Sequence, residues 1–328
     1  MLQKTIDLME CSRVFSLPTT IFSWAVIFVY SLLLSGNALY GLIAFAGLCF
    51  AHLGTNVIDD YFDYKSLIKR VDFDKTEYLR NSQKTKCRYL INGRMKETDI
   101  LILALIYFGI AALIGLFLFI KCGIGVLYFA FAGGLIAVLY PFVSRICLSE
   151  AAVGLAYGPA LFGGVAYVMT GTFSRETVLV SVPSMLMAII LLYIHTVMDY
   201  EYDFNEGKRT IANLFNSQLE ALSILRLLLI GAYLSVIPIC IFDILDWQIL
   251  LVYLTLPLAV DLYRSLEIFA SNADECPPHR WYHFPMENIQ AFAERGEDSF
   301  MIRIYQARNL MIYFCLLFIL GIVLSLAV

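Results

Sequence analysis

Ile100-Leu-Ile-Leu-Ala-Leu-Ile-Tyr-Phe-Gly-Ile-Ala-Ala-Leu-Ile-Gly-Leu-Phe-Leu-Phe-Ile120 runs without a single charge. As a helix rising 1.5 Å per residue it covers roughly 30 Å, the thickness of a bilayer's hydrocarbon core. Eight further stretches read the same way, giving predicted spans at 20–36, 39–58, 100–120, 122–142, 151–171, 178–198, 219–241, 247–268 and 308–328. The whole chain agrees with this reading: of 328 residues, 60% are hydrophobic and 15% charged, where a soluble domain carries roughly a quarter charged. Twenty-four Phe, twenty Tyr and a mean hydropathy of +0.76 exceed what one soluble core of this size can hide. A soluble enzyme, a secreted disulfide scaffold and a disordered tail are excluded. Arg13 ahead of a short first span has the look of a signal peptide, but apolar character resumes at Leu39 almost at once, so the two spans read as a retained hairpin.

Lys and Arg set the orientation. The segment 64–99 alone holds ten of them, and loops on the same side add Arg145, Lys208, Arg209, Arg280, Arg295 and Arg303; the other side has only Lys121 and Arg175. The expectation is a cytosolic N-terminus with every long loop cytosolic. The eight cysteines include no Cys-x-x-Cys pair and mostly fall in spans or on the reducing side, so no disulfide is expected. A net charge of −4, with basic residues sorted by topology, gives no nucleic-acid footprint.

Acids near a bilayer cost about 2.5–3.5 kcal/mol each at mid-span, so a cluster of them marks a site. One cluster ends the second span: His52-Leu-Gly-Thr-Asn56-Val-Ile-Asp59-Asp60-Tyr-Phe-Asp63-Tyr64. The other ends the sixth: His195-Thr-Val-Met-Asp199-Tyr-Glu201-Tyr-Asp203-Phe204, followed by Asn-Glu-Gly207-Lys208-Arg209-Thr210. At 100° per residue Asn56, Asp59, Asp60 and Asp63 share one stripe, and His195, Asp199 and Asp203 another. Residues 57–64 superpose without a gap on 197–204, which suggests two related halves, about 1–145 and 146–328, within one domain spanning 1–328. Several carboxylates facing one another need a cation, and an all-oxygen donor set suits Mg²⁺, which favours a few carboxylates plus phosphate and water. Acids are also unfavourable at a helix C-terminus, so capping alone explains these clusters poorly. Lys208 and Arg209 could neutralise phosphate oxygens directly. Asp59-Asp60-x-x-Asp63 has the form of the aspartate-rich element by which prenyl synthases hold an allylic diphosphate. A cation transporter using the same acids is the alternative class, although transporter sites usually lie near the midplane.

These motifs resemble the UbiA superfamily of intramembrane prenyltransferases, in which an Asn/Asp-rich motif ends the second of nine helices and Asp-x-x-x-Asp ends the sixth. Asn56-x-x-x-Asp60-Tyr-Phe-Asp63-Tyr-Lys65, Arg88-Tyr-Leu-Ile-Asn-Gly93, Gly154-Leu-Ala-Tyr-Gly158-Pro159 and Asp199-x-x-x-Asp203 with Gly207-Lys-Arg-Thr210 are similar to the 1,4-dihydroxy-2-naphthoate branch of menaquinone synthesis. The resemblance implies an all-α polytopic membrane protein, nine transmembrane helices around a central cavity open to the cytosol, in a bacterial plasma membrane. It implies Mg²⁺ as cofactor, with a polyprenyl diphosphate and an aromatic acceptor as partners in a lipid membrane. Asn56, Asp59, Asp60, Asp63, Asp199 and Asp203 would be metal ligands, with Asp63, Asp199 and Asp203 the catalytic acids. Arg88, Lys208 and Arg209 would bind diphosphate, and Tyr140, Arg145 and His195 the acceptor. In the naphthoate branch the acceptor's carboxylate is lost on prenylation. The chain departs from that branch at Asp59, where Asn is usual, at Met198, where Arg is frequent, and in the lengths of 64–87 and 269–306; these leave 4-hydroxybenzoate, homogentisate or another acceptor open.

Some residues carry competing readings. His195 could orient a ligand or be a buried hydrogen-bonded histidine. Arg145 could meet a carboxylate or phosphate, or snorkel to headgroups. Arg88 could bind substrate or only set topology. Cys276, His279 and His283 have zinc-like spacing but lack a fourth ligand. Gly133, Gly134, Gly163 and Gly164 would let helices approach closely. Residues 1–17 could form an interfacial helix with Leu2, Ile6, Met9 and Val14 on its apolar side.

Overall fold

Asn37 closes the first membrane hairpin. Its side chain accepts the Tyr40 N–H at 3.3 Å, satisfying a helix-start donor, and its own N–H donates to Met169 O at 2.8 Å. The computed structural model describes residues 2–69, 73–80, 87–205, 209–278, 280–287, 289–294, 296 and 298–325. Its principal helices are α1 (Leu2–Cys11), α2 (Leu17–Leu33), α3 (Ala38–Leu67), α4 (Glu97–Cys122), α5 (Gly125–Val143), α6 (Ser149–Thr170), α7 (Arg175–Met198), α8 (Tyr200–Asn205), α9 (Gln218–Ile241), α10 (Trp247–Ser271) and α11 (Asp298–Leu324). Nine of them, all but α1 and α8, are long and apolar enough to cross a membrane, and no strand occurs among the described residues. The all-α polytopic expectation holds.

Burial orders the helices from centre to rim. Of the most apolar window of α7, 56% is buried, against 11% for α4; α7 is therefore central, while α4 turns Leu105, Leu113 and Ile120 outward as a lipid-facing surface would. Close approaches occur at particular glycines. A Cβ on Gly321 of α11 would lie 2.5 Å from Ile249 Cα, so α10 and α11 touch backbone to backbone there. Gly163 faces the Phe129 ring and Gly125 the Tyr167 ring in the same way. Gly133 and Gly134 do not: nothing lies within 4 Å of a Cβ added at either, so that expectation is corrected. In α6 a π turn at Ala156–Ala160, around Gly158 and Pro159, directs Tyr157 to His52, its hydroxyl 2.6 Å from Nδ1. His52 also meets Ser16 Oγ and Thr20 Oγ1, and so ties α2, α3 and α6 together.

Two helices overrun their predicted spans. α3 continues from 58 to Leu67, carrying its acids on a true helical face, and α11 starts at Asp298 instead of 308. The α11 extension is polar in sequence but fully partnered inside the protein. Arg303, with no exposed surface, donates to Ser265 O (2.8 Å), Ser299 O (2.7 Å), Ser299 Oγ (2.6 Å) and Glu275 O (2.8 Å). Asn309 donates to His283 O and Pro285 O, and Gln306 Oε1 accepts from Ser265 Oγ. Buried polar groups persist where their bonds are made, and here they dock the 272–297 connection against α10 and α11. His283 points to Asp261 and Gln306, which is a structural role; His279 lies outside the described residues. The N-terminal helix is present over Leu2–Cys11, with Asp7 and Cys11 on its inner face and Met9 exposed, and Val14 lies beyond its end.

Candidate active site

Because α3 stays helical to Leu67, Asn56, Asp59, Asp60 and Asp63 fall on one side of it as the spacing required. Asp59 and Asp60 are buried, at 6% and 3% exposure. Their counter-charge is Arg13, from the turn between α1 and α2: its guanidinium donates to Asp60 and lies 3.4 Å from Asp59 Oδ2. The same turn is tied to Asn56, whose amide donates to Ser12 O (3.1 Å) and Ser16 Oγ (3.0 Å). Asp60 accepts a second bond at 2.5 Å from the hydroxyl of Tyr89, which is 2% exposed. Burial first, and then the Asp60 charge, push that phenol far above its ordinary pKa, so it stays a neutral donor.

The second cluster sits where α7 stops. Met198 is the last α7 residue, the Asp199 N–H donates to His195 O (2.9 Å), and the Asp203 N–H donates to Asp199 O (2.8 Å), so the i, i+4, i+8 ladder survives the step into α8. Asp203 is buried and Asp199 half-buried. Side chains from the following turn brace this junction: Gln218 Nε2 donates to Val197 O (2.7 Å) and Asn213 Nδ2 to Tyr200 O (2.9 Å).

One short connection, 144–150, touches both clusters. Arg145 donates to Asp63 Oδ1 (3.1 Å) and Phe62 O (3.3 Å) at the end of the first motif. Two residues on, Cys147 N–H donates to Arg209 O (3.0 Å), just past the second. Glu150, buried at the start of α6, accepts from Ser149 Oγ (2.7 Å) and meets Thr196 Oγ1 (3.5 Å) in the last turn of α7. The two acid-bearing segments are thus fastened to one another through this loop.

The remaining predicted residues are placed as follows. Arg88 opens a short helix, Arg88–Ile91, and is half-buried beside Tyr89. Arg209 is exposed, Tyr140 is half-buried in the last turns of α5, and Lys208 lies outside the described residues. His195, half-buried, donates from Nδ1 to its own helix at Leu191 O (2.7 Å). Sequence reasoning missed Arg13, Tyr89 and Glu150 as parts of the site. Arg13 had a usable signal: it is the only Lys or Arg between residues 5 and 64.

The donors suit Mg²⁺ in kind: one amide and five carboxylates, all hard oxygen. Two of these carboxylates already pair with Arg13 and a third with Arg145, so the site holds cations by construction. Among the described residues no three His, Cys, Asp or Glu side chains converge tightly enough to hold an ion as they stand.

Residues 16–289 match the profile of the UbiA prenyltransferase family. The 1,4-dihydroxy-2-naphthoate octaprenyltransferase of Bacillus subtilis (strain 168) is 23% identical over 229 residues, which are 65% of this chain and 66% of that relative's length. Among solved structures, a UbiA homolog from Archaeoglobus fulgidus bound to GPP and Mg²⁺ superposes with a TM-score of 0.58 at 12% identity, over 92% of this chain and 99% of that one. A UbiA homolog from Aeropyrum pernix K1 gives 0.57 at 17%, over 90% and 96%. A digeranylgeranylglyceryl phosphate synthase gives 0.58 at 16%, over 98% and 99%. At these identities the structural likeness establishes the shared fold.

Proposed function

The chain belongs to the UbiA prenyltransferase family, and from that premise we propose that it catalyses Mg²⁺-dependent transfer of a prenyl group from a polyprenyl diphosphate to an aromatic acceptor, 1,4-dihydroxy-2-naphthoate being the acceptor favoured. The observation that carries this reading is the pair of acid clusters on α3 and α7–α8, fastened together by the 144–150 loop. Asn56, Asp59, Asp60, Asp63, Asp199 and Asp203 would hold the metal. When bound, Mg²⁺ supplies charge to a diphosphate leaving group. Arg88, Arg209 and Lys208 would bind the diphosphate, an Arg being able to meet phosphate oxygens in a bidentate fork. Arg145 holds Asp63 in place through its 3.1 Å bond.

In the reaction the allylic C–O bond breaks, its electron pair leaves with the diphosphate, and the prenyl carbon joins an electron-rich ring carbon of the acceptor. A ring proton departs, or CO₂ where a carboxylate occupied that carbon. Aromatic faces stabilise cationic character without quenching it; Tyr61, Tyr64 and Tyr200 lie within the two acid motifs and Tyr140 five residues before Arg145, and these are the candidate rings. The naphthoate preference is supported by the motifs around Arg88 and Gly207 and by the Bacillus relative. On this reading the chain is one integral-membrane domain of two pseudo-repeated halves, 1–145 and 146–328. It lies in a bacterial plasma membrane with the acids on the Lys/Arg-rich, cytoplasmic side.

The test is turnover of a long-chain prenyl diphosphate in lipid nanodiscs with Mg²⁺ and a panel of aromatic acids. Prenylated naphthoate, abolished by EDTA and by Asp63→Ala or Asp199→Ala, is expected. Turnover of a different acceptor would correct the substrate. Metal binding indifferent to diphosphate, with no turnover, would favour cation transport.

A further inference from the structure

The chain brings its own cation to the acidic site. Arg13 lies between the end of α1 and a single 3-10 turn, Val14–Ser16, with left-handed φ 47° and ψ 49°. The left-handed region disfavours a non-glycine residue, so the turn holds this shape against local strain. What it gains is contact with the first motif: guanidinium to Asp59 and Asp60, and the Ser12 carbonyl and Ser16 hydroxyl to Asn56. Three of the six proposed ligands are therefore engaged by residues 12–16. A single charge on a flexible stem, tethered beside two carboxylates, acts at high effective concentration and competes with any other cation for them.

We propose that Arg13 is a tethered competitor of the metal: its guanidinium occupies Asp59 and Asp60 before metal binds and is expelled as metal enters, loosening the 12–16 turn. This rests on the metal reading given above. The neighbouring structure suits such an exchange. α1 is clipped down independently, Arg94 pairing with Asp7 (2.7 Å) and Glu10 (3.1 Å), and α2 is fixed in the bundle, so only the turn between them needs to move. Tyr89 keeps hold of Asp60 while Arg13 leaves, so the carboxylate stays oriented. Departure also relieves the left-handed backbone at Arg13. The exchange makes metal affinity depend on the N-terminal turn, and it keeps the carboxylates from repelling one another when the site is empty of metal.

Mn²⁺ binding to the full chain in nanodiscs, followed by electron paramagnetic resonance without prenyl substrate, tests this. If the Arg13-out form makes up about 1–10% of molecules, Arg13→Gln raises Mn²⁺ affinity about tenfold to a hundredfold, while Arg13→Lys, keeping the charge, raises it less. In the unmodified chain, Mn²⁺ should also speed hydrogen exchange at the amides of Arg13, which donates to Glu10 O at the end of α1, and Ser16, which donates to Arg13 O. Equal Mn²⁺ affinity with and without Arg13, or exchange that Mn²⁺ leaves unchanged, would overturn the competition while sparing the metal site. A chain and variant that both ignore Mn²⁺ would overturn the metal reading and this inference together. The exchange measurement uses no variant, so it decides the matter even where Arg13→Gln fails to fold.

Discussion

Tyr89→Phe removes one oxygen atom and nothing else, yet it should disturb both the fold and the site. The hydroxyl donates to Asp60 over 2.5 Å, with Tyr89 2% and Asp60 3% exposed. A hydrogen bond to a charged group contributes about 1.5–3 kcal/mol net, and the carboxylate left behind cannot recruit bulk water at such burial. Unfolding in mixed micelles should therefore show Tyr89→Phe about 1.5–3 kcal/mol less stable. Because the phenol is held neutral well above its usual range, that difference should stay flat from pH 6 to pH 9. A partner that orients a metal ligand is typically worth about 10–100-fold in affinity, so Mn²⁺ binding should weaken by that amount. Arg88→Gln, one residue earlier, is the control: it should weaken diphosphate binding and leave Mn²⁺ affinity close to the parent's. Unaltered stability together with unaltered Mn²⁺ affinity in Tyr89→Phe would refute the reasoning, because it would mean that Asp60 neither needs this bond nor binds metal.

Three further outcomes follow from the packing. Arg303→Met removes the buried guanidinium that donates to the carbonyls of Ser265, Ser299 and Glu275; a loss of about 3–5 kcal/mol is expected, together with faster tryptic cleavage after Arg280. Gly321→Ala drives a Cβ to 2.5 Å from Ile249 Cα and should destabilise by about 1–3 kcal/mol or more. Gly133→Ala, which meets nothing within 4 Å, should be neutral or stabilise by up to about 1 kcal/mol, as thermal melts of the pair would show. The Cys276 thiol is pushed up to about 11 by burial and then by its bond to Asp298. Asp298→Asn lowers that pKa, increases the thiolate fraction at pH 8 and should speed iodoacetamide labelling of Cys276 several-fold; an unchanged rate would remove Asp298 as a cause.

The membrane architecture was legible because hydrocarbon thickness imposes a length on every span, and uninterrupted runs such as 100–120 have no other reading. The acids were legible because carboxylates beside a bilayer are costly enough to need a purpose. The extension of α11 was not, since Arg303 and Gln306 look like loop residues until their partners Ser265, Ser299 and Glu275 are known. Arg13 was read only as a signal-peptide-like charge ahead of the first span, because its two carboxylates stand more than forty positions away in the chain. Tyr89 was overshadowed by its charged neighbour Arg88.

The central claim is that acids from both halves of the chain serve one metal-dependent diphosphate site. Equilibrium binding of radiolabelled geranyl diphosphate, with and without Mn²⁺, to the parent chain, Asp60→Asn and Asp199→Asn tests it most directly. Binding should require the metal and be lost in both variants, although they lie on different helices. Metal-independent binding, or full binding in either variant, would contradict it.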